Sequence, residues 1–165
     1  MVQGVPPIPA SLPAEVRRYT ESRTAAFLDW HPTRRELLVS TRFGNVPQVH
    51  RVAAPAGART QLTFFEEPIT RAVYHPRDGR SFLFLKDVGG NEFAQIYRYD
   101  PDGRTVLLTD GGRSQNDLPV WSRAGDRVAF GSTARNGADR DVWVMDPAAP
   151  SARRLVMQNT GGGWR

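Results

Sequence analysis

The sequence predicts an all-β fold, a β-propeller fragment of about three four-stranded antiparallel blades, preceded by a short N-terminal helix or extended segment. Three observations carry this. Short runs rich in β-branched and aromatic residues alternate with Gly-, Pro- and Asp-containing turns. An aromatic residue followed by such a turn recurs at Trp30, Tyr74 and Trp121. The recurrences are 44 and 47 residues apart, and Trp164 follows 43 further on, the spacing of a four-stranded blade.

The elements follow in chain order. Residues 1–23 form a Pro-rich lead, in which "PAEVRRYTES" has helical composition, with Ser11 or Leu12 near its start and Pro13 in the first turn. Blade 1 is expected over 24–67, opening with "FLDWHPTRRELLVS" and continuing with "QVHRVAAPAG" and "RTQLTF". Blade 2, over 68–114, is the clearest copy. Its strands are expected at Ile69 to His75, Ser81 to Lys86, Ala94 to Asp100 and Thr105 to Thr109. Between them the turns "PRDG" and "PDG" use proline to preset φ, aspartate to bond its own backbone and glycine to accept the left-handed conformation. Blade 3, over 115–158, repeats the scheme in "LPVWSRAGDRVAFG", "DVWVMDPAA" and "RRLVM", and residues 159–165 open a fourth copy at Trp164.

A single blade cannot bury both its faces, so the repeated aromatics Trp30, Tyr74, Trp121 and Trp164, with Trp143, are expected between blades. Tandem hairpins of a sandwich are the competing architecture, and the regular spacing favours the propeller. Propellers typically close with roughly four to eight blades. Three copies and the start of a fourth do not make a ring, which leads us to expect a truncated piece of a larger protein whose open blade edges favour self-association or a protein partner.

Composition narrows the function classes. There is no cysteine, so disulfides and thiolate metal sites are excluded. The net charge is +5 and the pI is near 10.4, but the basic residues are arginines spread singly or in pairs, with Lys86 the one lysine. No basic block marks a nucleic-acid arm. No apolar run reaches membrane-spanning length, and "MVQGVPPIPASLPAEV" lacks the basic start and apolar core of a secretory signal. The expectation is a cytoplasmic chain, or a periplasmic one if an upstream segment has been lost.

The units "VWSRAGDRVAFGSTARNGADRDVWVMDP" and "YHPRDGRSFLFLKDVGGNEFAQIYRYDPDG" resemble the propeller repeats of TolB-like proteins and of the N-terminal domain of the prolyl oligopeptidase family of serine peptidases. Together with "DWHPTRRELLVSTRFG" and "FLKDVGGNEF" they look closer to the acylaminoacyl-peptidase or dipeptidyl-peptidase-like members, over Thr24 to Trp164. The resemblance implies a propeller that gates a following α/β-hydrolase domain carrying the catalytic Ser, Asp and His, with oligopeptides as substrates. Peptide would then be met through that missing domain.

No catalytic residue is identified in the chain itself. A nucleophile elbow needs Gly-x-Ser-x-Gly, and neither Ser114 in "GRSQN" nor Ser132 in "FGSTA" fits. His31 and His75 follow the repeat aromatic and His50 lies in a strand, so each has a repeat-position role. Metal is not expected: the histidines lack zinc spacing, and Asp139, Asp141 and Asp146 read as turn and strand-end residues rather than a calcium loop. No cofactor is expected either, because "DVGGNEF" and "TDGGRSQND" lack the strand-loop-helix setting of a phosphate cradle. The weak substrate-binding candidates are Glu66 and Glu67. Some dipeptidyl peptidases of the family hold a free amino terminus with two adjacent propeller glutamates, but this pair falls in the link between blades 1 and 2.

Overall fold

The computed structural model describes Gly4 and residues 8–21 and 23–160. Helix α1 (Ser11–Thr20) comes first. Pro13 sits in its first turn, where its missing N–H costs nothing, and no residue of the helix is buried.

Three four-stranded sheets follow, each a simple meander in chain order. The first joins β1 (Ala25–Trp30), β2 (Leu37–Thr41), β3 (Gln48–Val52) and β4 (Arg59–Gln61). The second joins β5 (Ala72–Tyr74), β6 (Phe82–Lys86), β7 (Gln95–Tyr99) and β8 (Thr105–Leu107). The third joins β9 (Val120–Trp121), β10 (Val128–Ser132), β11 (Asp141–Met145) and β12 (Arg154–Met157), with a 3-10 turn at Pro150–Ala152. All pairings are antiparallel, and together the sheets are three consecutive propeller blades.

The register makes the repeat exact in space. Trp30 pairs with Leu37, Tyr74 with Phe82 and Trp121 with Val128. Two bulges interrupt it: one at Phe27 to Asp29 adds a residue to β1, and one opposite Val142 and Trp143 adds a residue to β12. In blade 2 the outer strands β5 and β8 are shorter than the sequence suggests, because each pairs on one side only. In blade 3, Pro119 supplies no N–H just before β9, and pairing resumes upstream as an isolated bridge from Asn116 to Ser132.

Two apolar cores lie between the sheets. Leu38 and Val49 from blade 1 meet Ile69, Ala72, Tyr74, Phe82 and Phe84 from blade 2. On the far side of blade 2, Leu83, Ile96 and Leu108 meet Val128, Phe130 and Met145 of blade 3. Alternation along each strand thus sends neighbouring residues to different seams: Phe82 and Phe84 to one, Leu83 to the other.

The repeat aromatics do not all follow the expected burial. Tyr74 is 5% exposed and Trp121 and Trp143 are half-buried, but Trp30 is 61% exposed. Its ring stands 5.6 Å from that of Phe27, itself 56% exposed. The cause is positional. Tyr74 is covered by blade 1 and Trp121 by blade 2, whereas among the described residues no sheet covers the corresponding face of blade 1. Trp164 and the rest of the expected fourth copy from residue 161 onward lie outside the described residues.

Candidate functional site

The seams between blades are built from the turn that follows each repeat aromatic. In blade 2 the chain reverses over 75–81, with His75 N–H donating to Ser81 O at 2.9 Å and Gly79 N–H to His75 O at 3.0 Å. Gly79 has φ +58° and Gly125, in the blade 3 turn, φ +78°, a region that favours glycine. Each glycine also receives the histidine of the blade before it. A Cβ on Gly125 would stand 2.6 Å from His75 Nε2, and one on Gly79 would run into the His31 ring.

The two histidines are anchored differently. His31 Nδ1 accepts from Thr33 N–H at 3.2 Å and Arg34 N–H at 3.1 Å, and its ring meets Tyr74 edge-on at 5.0 Å. Burial, with the Arg34 charge beside it, holds its pKa below the ordinary histidine value. His75 instead places Nδ1 2.8 Å from Asp78 Oδ1 and Nε2 3.1 Å from Gly125 O, across the next seam.

Further polar bonds close the first seam. Asp29 Oδ2 accepts Tyr74 N–H at 2.8 Å, and Tyr74 Oη donates to the buried Glu36 at 2.9 Å. Burial and the Glu36 bond push the Tyr74 phenol well above its ordinary pKa. Across the second seam, Arg98 donates to Pro147 O at 2.7 Å while its guanidinium holds Asp100 below the usual carboxylate range.

Where the three first strands converge, Trp30, Tyr74, Trp121, Pro76, Pro119 and Val120 line a largely apolar hollow of about 470 Å³. β1, β5 and β9 are therefore the inner strands of the blades. Trp30 and Val120 are its large exposed side chains, at 61% and 70%, with exposed Pro32 beside them. The hollow offers ring faces and proline rims but few charged groups, so it suits an apolar or proline-containing peptide stretch rather than an ion.

The glutamates singled out in the sequence take separate roles. Glu66 is exposed. Glu67 accepts Lys86 Nζ at 2.9 Å and Gly89 N–H at 3.0 Å, and the Gly89 bond, then the ammonium, hold its carboxyl below the usual range. The Glu67 carboxylate thus does hold an ammonium group, but it is that of Lys86. The same ammonium lies 5.1 Å from the Phe65 ring centre and 5.7 Å from that of Tyr97. A peptide amino terminus would have to displace a buried partner.

The serines and aspartates are also structural. Ser114 donates to Asp110 at 2.7 Å, and Ser132 is 1% exposed. Asp139 and Asp141 pair with Arg135 at 3.0 and 2.7 Å. Sequence reasoning passed over the residue that opens the third strand of each blade. Gln48 Nε2 donates to Phe65 O and Glu67 O, and its Oε1 accepts Phe65 N–H. Gln95 likewise donates to Ser114 O at 2.8 Å and accepts from Thr109 Oγ1 at 2.6 Å and Gly111 N–H at 3.1 Å. In blade 3 Asp141 has the place and accepts Asn159 N–H at 2.8 Å. The signal was present as a polar residue at one repeat position, followed each time by an apolar strand residue.

No family model and no curated protein matches the sequence. Solved structures do match. A TolB protein from Agrobacterium tumefaciens aligns over 87% of this chain and 52% of its own, at 23% identity and a TM-score of 0.66. A puromycin hydrolase aligns over 86% of this chain and 22% of its own, at 20% identity and a TM-score of 0.63. For Porphyromonas gingivalis dipeptidyl peptidase 4 the shares are 86% and 20%, with 12% identity and a TM-score of 0.67. The chain spans about half the length of the first of these and about a fifth of the others. What it has in common with all three is the fold, a run of consecutive four-stranded β-propeller blades.

Proposed function

We propose that the chain is the non-catalytic, substrate-gating propeller portion of a prolyl-oligopeptidase-like serine peptidase acting on oligopeptides. The observation that carries this reading is the hollow at the convergence of the inner strands, lined by Trp30, Tyr74, Trp121 and three prolines, Pro32, Pro76 and Pro119. Such a lining suits an extended apolar peptide. The likeness to propellers in a dipeptidyl peptidase and a puromycin hydrolase supports it at the level of fold.

A second reading, a TolB-like propeller that binds a protein partner, draws on the larger share of the TolB chain that is matched. The coding sequence downstream of the Arg165 codon separates the two. Further blades followed by Gly-x-Ser-x-Gly support the peptidase, and further blades followed by a stop codon sink it. The isolated chain is expected to hydrolyse no peptide substrate; turnover abolished by Ser114→Ala or Ser132→Ala would overturn the non-catalytic assignment.

A further inference from the structure

The loop between the second and third strands occurs three times, and its charge differs between copies. In blade 2 the loop begins with Asp87, next to the Lys86–Glu67 ion pair. In blade 3 it contains Arg135, neutralised by Asp139 and Asp141. In blade 1 the corresponding stretch, "RFGNVP" from Arg42, contains no acid. The position held by Asp87 in blade 2 is Arg42 in blade 1, as the register places it one residue beyond Thr41 and Lys86.

Three guanidinium groups gather there. Arg23 lies 5.2 Å and Arg59 6.0 Å from the Phe43 ring centre. Arg42 donates to Thr20 O at 2.8 Å, and Arg59 to Thr41 Oγ1 at 3.0 Å. Among the described residues, none of the three has a carboxylate within ion-pair distance. Arg23, Arg42, Phe43, Gly44 and Asn45 border a hollow of about 350 Å³, together with Thr20 and Glu21. The Glu21 carboxylate lies 3.5 Å from Arg17. Like charges brought together over one aromatic ring repel each other unless an anion joins them, and the planar guanidinium fork matches an oxyanion.

We infer that this hollow is an oxyanion-binding site, for a carboxylate such as a peptide's C-terminus or for a phosphate, supplied in blade 1 from outside where blades 2 and 3 supply their own acid. The inference is independent of the peptidase reading, because it rests on the blade 1 loop and not on the axial hollow.

The test is an amide-resolved NMR titration of the chain in low-chloride buffer. The probes are an acetylated dipeptide with a free C-terminus, the same dipeptide amidated, and inorganic phosphate. Saturable shifts at the Gly44 and Asn45 amides are expected with the free acid or with phosphate, and the tighter of the two assigns the source. The amidated peptide should leave them unmoved. Arg42→Asp, which installs the blade 2 residue at an exposed loop, should weaken binding by about tenfold or more, and Arg23→Gln should act in the same direction. Unchanged spectra with both anions, equal shifts with the amide, or full affinity in a folded Arg42→Asp variant would overturn the assignment.

Discussion

Gly125 and Gly79 concentrate the residue-scale consequences of the repeat. Each combines positive φ with a histidine ring in the space a side chain would need. Gly125→Ala is expected to cost about 2 kcal/mol or more, since conformational strain and the clash with His75 add. Urea denaturation of the variant measures it, and His75→Ala in the same background should return part of the loss. The turn role of His31 and His75 was legible in "WHP" and "YHP". Their contact with the next blade was not, because the partner glycine lies about a full repeat away and nothing local marks it. His31 also sets a pH dependence. Its folded pKa is lowered by burial, so the folded state disfavours the proton that the unfolded chain takes up. Its stabilising contribution is complete above the unfolded value of 6.5 and is lost as pH falls below that toward the folded value. Melting curves between mildly alkaline and mildly acidic pH should show this decline, and His31→Gln should flatten it. The Glu67 pairing was illegible for a similar reason: Lys86 is 19 residues on, across the link and into the next blade.

At the scale of the element, the long, strongly patterned strands were read correctly and the edges were read too long. The central strands β2, β3, β6, β7, β10 and β11 have partners on both sides, so each keeps its full five paired residues and its run of strand-forming side chains shows in the sequence. β8 ends at Leu107 although the apolar run continues to Leu108. The reason is that Thr109 leaves the ladder to bond Gln95, and the link then folds back along the same blade. Gln95 acts as the peg for that link. Gln95→Leu removes the partners of Gly111 N–H and Ser114 O in a buried setting and is expected to cost about 2–3 kcal/mol. Hydrogen exchange at Gly111 should accelerate in the variant while exchange in β6 follows only the global loss. Equal acceleration everywhere would mean that the link is not locally pegged.

For the whole molecule, contacts run from each blade to the next, and repeat-equivalent positions therefore carry unequal weight. Trp30, Tyr74 and Trp121 were indistinguishable in the sequence, yet only the latter two receive a neighbouring sheet. Trp121→Ala is expected to destabilise by about 2–3 kcal/mol, and Trp30→Ala by less than about 1 kcal/mol. Paired denaturation curves decide this, and a larger loss at Trp30 would show that its face is covered in solution. The seams also have a consequence for how such a chain changes over time. Among the described residues, every inter-blade bond, from the Asp29 to Tyr74 link to the Arg98 to Pro147 link, joins one copy to its successor and to nothing further along. A recombination event that duplicated or deleted one whole repeat in frame would therefore re-create seams of the same kind, so blade number is a quantity that DNA rearrangement can alter in a single step without redesigning any core.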